Sequence, residues 1–319
     1  MEGALGTGTG LFAPVAADLE RLEGRFRNEI ESDGPPMAGP MGALFAAGGK
    51  RIRPALVLLA GRLGDFRPAI LEGAMATEFV HAATLVHDDV IDSSPLRRGL
   101  PTVAAALGDD PAIVVGDFYF AKAYAHAAAT LDPAVVEEIA VAVMRICRAE
   151  LAQHAARFHY RGSIEEYLAR IEGKTAALLA ASAWIGGRLA GVGEQTLLAL
   201  RGYGTDLGMA FQIADDVLDF TAAEAEVGKP VGHDLLEGHA TLPLLLANLP
   251  GRLPEGVALS ADLVAELVAA VRASGGPELA LEAAHAHAER ARSRLDGLPD
   301  GPARQCLATL TGYVVERRL

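Results

Sequence analysis

The sequence predicts an all-α fold in a single domain, and three observations carry that expectation. Alanine dominates long stretches such as "AKAYAHAAAT" and "TAALLAASAW", and alanine is the strongest helix former. Runs of β-branched residues are short, so there is little material for strands. Apolar residues recur at steps of three and four through most of the 319 residues, the spacing that lines one face of a helix.

The elements follow in order. Residues 1–10 are Gly/Thr-rich and predicted to be disordered, which leaves residues 11–319 as the domain. A helical pattern runs from Phe12 to Ile30, and the Pro and Gly residues of "ESDGPPMAGPMG" break it into a loop. "GGKRIRP" (48–54) sets Arg53-Pro54 at the start of another helix, where proline is tolerated. Leu71, Met75, Phe79, Ala82, Val86 and Val90 then mark one helix ending near "SSP". Similar patterns cover 111–130, 133–158, 164–192, 195–220, 260–274, 277–295 and 301–316. "AIVVGDFYF" (112–120) has strand-like composition, but a lone strand among so many helices is out of place, and it is read as helix. Residues 220–240, Gly-rich and charged, are read as a loop.

Composition narrows the partners. With 51% hydrophobic side chains the chain can bury a large core. A net charge of −13 argues against nucleic acid, whose phosphates demand a broad basic surface. An acidic protein that binds an anion needs local basic pockets, bridging cations, or both. The two cysteines, Cys147 and Cys306, form no framework, which points to a reducing, cytoplasmic compartment. The N-terminus lacks the basic and apolar regions of a signal peptide. No run approaches the ~18 apolar residues of a membrane span.

Chemistry concentrates in a repeated pattern, "HDDVID" (87–92) and "ADDVLD" (214–219). Positions 78, 81, 85, 88 and 92 share one helical face and carry Glu78, His81, Leu85, Asp88 and Asp92. Asp88 and Asp92 are one turn apart, as are Asp215 and Asp219, with Asp89 and Asp216 adjacent. Such pairs suit magnesium, which takes a few carboxylates together with water and phosphate oxygens. A single acidic helix end is usually only solvated charge, and it is the pair that points to cations. Basic groups accompany them: Lys50, Arg51 and Arg53 beside two glycines, Arg97 and Arg98, and Lys174-Thr175 following a glycine inside a helical pattern. Gly173 there implies close approach, either of a ligand or of another helix.

The ordered motifs GGKRIRP, EFVHAATLVHDDVID, RRG, EGKTA, FQIADDVLD and GKPVGHDLLEGHATLP, from about Gly48 to Pro243, resemble the trans-polyprenyl (isoprenyl) diphosphate synthase family. The resemblance implies the isoprenoid synthase fold, a bundle of ten or more helices around a deep central cavity with the two aspartate motifs facing each other at its mouth. It implies a homodimer whose long product leaves through peripheral contact with a membrane. By the same resemblance, Lys50, Arg53, His81 and Arg98 hold isopentenyl diphosphate. Asp88, Asp92 and Asp215, supported by Asp89, Asp216 and Asp219, hold Mg2+, with Mn2+ as the alternative. Arg97, Lys174, Thr175, Gln212 and Lys229 contact the allylic diphosphate, and Asp88, Asp92, Arg97, Lys174 and Asp215 form the catalytic set. His239 stands where the family usually carries a lysine, His233 where asparagine is common and Leu100 where lysine is common.

Two other readings compete. A class I terpene cyclase also ionises an allylic diphosphate, but it needs no second-substrate site and usually alters the second aspartate motif. A non-catalytic partner subunit would carry eroded motifs, and these are intact. Product length rests on Ala83, five residues before Asp88. Short-chain relatives often place an aromatic there and insert two residues into the first motif. The small side chain and uninserted motif imply a product longer than C20, with a farnesyl or geranylgeranyl product as the alternative.

Overall fold

The computed structural model describes residues 10–221, 231–247, 249 and 253–316, so residues 1–9 of the segment expected to be disordered, and Lys229, lie outside the described residues. The all-α expectation holds. In chain order the helices are α1 (Ala16–Ser32), α2 (Ala38–Ala46), α3 (Ile52–Gly61), α4 (Ala69–Ile91), α5 (Val103–Leu107), α6 (Asp109–Ala129), α7 (Pro133–Ala155), α8 (Ile164–Ile171), α9 (Ala177–Leu189), α10 (Glu194–Thr221), α11 (His233–Glu237), α12 (Leu242–Leu246), α13 (Ala261–Ala273), α14 (Gly276–Ser293) and α15 (Pro302–Glu316). The strand-like stretch 112–120 lies inside α6. Its β-branched residues, Ile113, Val114 and Val115, are too few to outweigh the alanines that follow.

Three features depart from the expected elements. The helix expected over 164–192 is interrupted at Glu172–Ala176 by a π turn. A two-residue hairpin, β1 (Leu96–Arg97) and β2 (Leu100–Pro101), follows α4. The loop expected over 220–240 contains α11.

The residues pack into two compact units. The first comprises the described residues up to Val141 with Ala181–Leu200 and Gly297–Leu307; the second comprises Ala142–Ala180, the described residues of Arg201–Asp296 and those from Ala308 onward. In the first unit α4 packs most extensively on α6. Burial reaches almost every position of α4 from Ile70 to Val86, so it is a core helix. Among the described residues it is the one helix long and apolar enough to cross a membrane, and most of it is buried. In the second unit Tyr160, Phe220, Leu235, Leu244, Val264, Val268 and Val271 form a continuous core. A capping box opens α8: the Ser163 hydroxyl accepts from the Glu166 amide, and the Glu166 carboxylate accepts from the Ser163 amide.

Candidate functional site

The first unit holds the first aspartate motif and the basic groups of GGKRIRP and RRG. The last turns of α4 present His81, Leu85, Asp88 and Asp92 along one face. Asp92 ends the helix, its amide donating to the Asp88 carbonyl at 2.8 Å. Asp89 points elsewhere and is buried, 2% exposed. Arg97 Nε donates to both of its carboxylate oxygens, at 2.9 and 3.1 Å.

The hairpin explains the RRG sequence. Arg98 and Gly99 have φ of 53° and 77°, the left-handed pair that a two-residue hairpin turn requires. Glycine takes that conformation without steric cost, whereas arginine is held in it. Arg97, on the strand, thereby returns to Asp89, and Arg98, in the turn, lies over Gly49, where a Cβ would stand 3.3 Å from its Nη1. Arg53 and His81 belong to the same group. Burial, reinforced by the charges of Arg53, Arg97 and Arg98, holds the His81 ring well below the ordinary histidine range, so it is neutral. Burial also lowers Arg53 and Arg98. Among the described residues, Arg53 Nε is buried without a hydrogen-bond partner. Such a donor is costly unless an anion satisfies it. Lys50 is exposed at the edge of this group.

Arg51, the middle cation of GGKRIRP, braces the structure. It opens α3 in a left-handed conformation. Its guanidinium pairs with Glu23 of α1, with Glu78 at 3.1 Å and with the Phe45 carbonyl at 3.0 Å. Ala83 is fully buried in α4.

The second unit holds the second motif. Asp215 is exposed on α10, while Asp216 is buried. Asp216 accepts from the Tyr167 hydroxyl at 2.6 Å and from Gln212 Nε2 at 2.8 Å. Gln212 Oε1 in turn accepts from the Thr175 hydroxyl at 2.7 Å. Asp219 accepts the amides of His233 and Asp234 at 3.0 Å each, capping α11 across the chain. Lys174 and Thr175 sit in the π turn, and Lys174 pairs with Glu150. Gly173 is explained by helix contact: a Cβ there would stand 2.9 Å from that of Ala149 and 3.0 Å from the Arg145 carbonyl. π turns inside helices are frequent at functional sites.

Burial and crowding raise the carboxyls of Asp216 and Asp234. Burial pushes Asp216 up to about 7, against its two hydrogen bonds and with the charge of Asp215 adding to the rise. Burial, then the charges of Asp216, Asp219 and Asp215, lifts Asp234 well above the carboxylate range. Self-repelling carboxylates of this kind are relieved by a divalent ion. Among the described residues no three Asp, Glu, His or Cys side chains close a metal cage by themselves. An exposed carboxylate such as Asp215 suits a hard divalent ion, which keeps water and takes phosphate oxygens alongside few protein carboxylates. His239, by contrast, is held at about 4 by burial, with Glu237 opposing and Arg170 and Lys174 adding to the fall, so without a ligand it carries no charge at neutral pH.

The residues brought together in the first unit are thus Arg53, His81, Arg97, Arg98 and Asp89, and in the second Thr175, Gln212 and Asp216 with Asp215, Asp219 and Lys174 beside them. Tyr167, Asp234 and Glu150 were not anticipated. Their partners lie 49, 15 and 24 residues away or more along the chain, beyond any local pattern. The carboxylate of "GHD" was the one visible signal.

Comparison with known proteins completes the description. The model of the family described as polyprenyl synthetase matches residues 35–251. The heptaprenyl diphosphate synthase component 2 of Geobacillus stearothermophilus is 36% identical over 313 residues, covering 96% of this chain and 98% of that protein. The nonaprenyl diphosphate synthase of Mycobacterium tuberculosis is 35% identical, covering 96% and 94%. Among solved structures, a decaprenyl diphosphate synthase from Rhodobacter capsulatus superposes with a TM-score of 0.91 at 35% identity, covering 98% of this chain and 99% of that one.

Proposed function

The chain belongs to the polyprenyl synthetase family and is a trans-prenyltransferase, and from that premise we propose that residues 11–319 act as one domain that condenses isopentenyl diphosphate head-to-tail with an allylic diphosphate. The product is an all-trans polyprenyl diphosphate longer than C20. The observation that carries the reading is the cationic group of Arg53, Arg97 and Arg98 around a neutral His81, with Arg53 Nε buried and unpartnered among the described residues, in a protein of net charge −13. A pocket of that kind is built for a diphosphate.

Lys50, Arg53, His81 and Arg98 orient isopentenyl diphosphate, so that its double bond is held against the allylic carbon. Arg97, Lys174, Gln212 and Lys229 bind the allylic diphosphate and stabilise the charge that gathers on it as the carbon–oxygen bond breaks. Asp88, Asp92 and Asp215, with Asp219 in support, would hold magnesium, or manganese, which supplies Lewis-acid neutralisation of the leaving diphosphate. Apolar side chains around Ala83 keep water from the carbocation. The departing diphosphate takes the last proton. The enzyme works in the cytoplasm as a homodimer and releases its long product at a membrane surface.

Long products are favoured by the relatives, named heptaprenyl and nonaprenyl diphosphate synthases. The test is to supply the purified chain with isopentenyl diphosphate and allylic primers of several lengths and to weigh the products. Hydrocarbon from a single allylic diphosphate, with no elongation, would identify a cyclase instead. A second reading draws on the relatives from Geobacillus stearothermophilus and Bacillus subtilis, both named component 2. On that reading the chain is one half of a two-protein synthase, and inactivity of the purified chain restored by a second protein would establish it.

A further inference from the structure

Four side chains of the second unit form one line of hydrogen bonds. Tyr167 on α8 donates to Asp216 at 2.6 Å, Gln212 donates to the other oxygen of Asp216 at 2.8 Å, and Thr175 in the π turn donates to Gln212 at 2.7 Å. Tyr167 is 1% exposed and Asp216 5%, so water does not compete for these groups. The polarity of the line follows from donor and acceptor chemistry. The Tyr167 hydroxyl and the Gln212 amide nitrogen both point their hydrogens at Asp216, which leaves the Gln212 oxygen turned toward Thr175. Thr175 then spends its single hydroxyl hydrogen on Gln212. One N–H of the Gln212 amide is thereby left to be offered to an anion.

We propose that Tyr167 and Asp216 are positioning residues that set the Gln212 amide for the allylic diphosphate, with Asp216 taking no place among the metal ligands. The inference rests on the polyprenyl diphosphate reading of the site. Both oxygens of Asp216 are engaged inside the protein, whereas Asp215, its neighbour, is exposed on α10. Without the Tyr167 hydroxyl, Asp216 has one donor fewer and is free to rotate. The amide of Gln212 then loses the partner that dictates which way it faces. A buried carboxylate with an unmet lone pair also draws on any other donor nearby, the remaining Gln212 N–H included.

Tyr167→Phe keeps the ring and removes only the hydroxyl. The full chain and this variant are titrated calorimetrically with farnesyl diphosphate and magnesium chloride, isopentenyl diphosphate being withheld so that no turnover occurs. We expect about a five- to tenfold loss of affinity, the worth of one such hydrogen bond, while the melting temperature stays within a few degrees and the KM for isopentenyl diphosphate is unchanged. In a Gln212→Leu background the same tyrosine substitution should have less than about a twofold effect, since the group it orients is gone. Equal affinity in Tyr167→Phe and the parent overturns the inference. So does a full loss persisting in the Gln212→Leu background, because Tyr167 would then act through the fold at large. A parent chain that binds farnesyl diphosphate and makes no polyprenyl product sinks the functional reading alone, and the binding comparison still decides this one.

Discussion

Arg97 closes on Asp89 with its Nε between the two carboxylate oxygens, at 2.9 and 3.1 Å, and with Nη2 at 2.8 Å from the first of them. The second aspartate of the first motif is thereby spent on holding an arginine, and on the proposed reading the metal ions fall to Asp88 and Asp92. Asp89→Asn and Asp88→Ala should therefore fail in different ways. Asp88→Ala should cut turnover by orders of magnitude and shift the magnesium dependence of the rate. Asp89→Asn should leave the magnesium dependence near that of the parent and raise the KM for the allylic substrate, because Arg97 loses its anchor. The same magnesium shift in both variants would place Asp89 among the metal ligands.

A second prediction concerns the turn that carries Asp88. His87 lies on Gly116 of α6: a Cβ at 116 would stand 2.1 Å from its Nε2 and 2.3 Å from Cδ2. The ring also bonds the Ile113 carbonyl at 3.0 Å and leans on Phe120. Gly116→Ala must displace the ring and with it the last turn of α4. Overpacking of this sort costs about 1–3 kcal/mol, so the melting temperature and kcat should both fall. His87→Ala in the Gly116→Ala background removes the clash and should recover part of the lost stability. A double variant less stable than Gly116→Ala would show that the ring was never the obstacle.

Local spacing made α4 and its acidic face legible, because steps of three and four identify a helix whatever surrounds it. The π turn was not legible. Its one extra residue per turn leaves no compositional trace, and Gly173 signalled only that something came close. The RRG hairpin was hidden for a different reason: two-residue strands are too short to show alternation, and only Gly99 of the turn pair is a residue that favours positive φ. Asp216 and Asp219 were found as members of a motif, but what they do depends on Tyr167 and on the amides of α11, which only the folded chain brings near. For the same reason Arg51 stood in the sequence only as a basic group between Lys50 and Arg53, and its role as a brace comes from Glu23 and Glu78, 28 and 27 residues away.

The third prediction is a contribution to acid sensitivity. His239 titrates at about 4 in the folded chain and at about 6.5 when unfolded. Between those values the unfolded state binds the proton and the folded state does not, so this residue's contribution is complete above about pH 6.5 and lost as pH falls toward 4. Its size is at most about 3 kcal/mol. His81 acts in the same direction. Asp216 and Asp234 act oppositely, since their raised values let the folded state take up protons first. The difference between parent and variant isolates the histidine. Urea midpoints of His239→Gln, measured from pH 7.5 to 4.5, should fall less steeply than those of the parent, and parallel curves would contradict the assignment.

The last prediction concerns how far the product grows. Ala83 is fully buried and lies five residues before Asp88 on α4, about 7.5 Å along the axis at about 1.5 Å per residue. One turn further, Phe79 is fully buried too. It meets Phe26 edge-on at 5.3 Å, Tyr119 at 5.6 Å and His126 in a stack at 5.3 Å. Behind these rings the side chains are charged: Tyr119 donates to Asp33 at 2.8 Å, Lys122 reaches Asp33 at 2.7 Å, and His126 lies between Glu72 and Glu29. A hydrocarbon tail passing Ala83 would reach an aromatic layer and then an ionic one that it could enter only by desolvating charge. Ala83→Tyr should accordingly shift the product to about fifteen or twenty carbons, with the first condensations intact because the chemistry lies above the block. Phe79→Ala should lengthen it or broaden its distribution. If Ala83 merely packs against a neighbouring helix, the tyrosine instead overpacks the core by about 1–3 kcal/mol, the melting temperature falls, and product length does not change. Product mass spectra and a melting curve on the same variant separate these outcomes, and an unshortened product with a depressed melting temperature would place the limit on product length away from this helix.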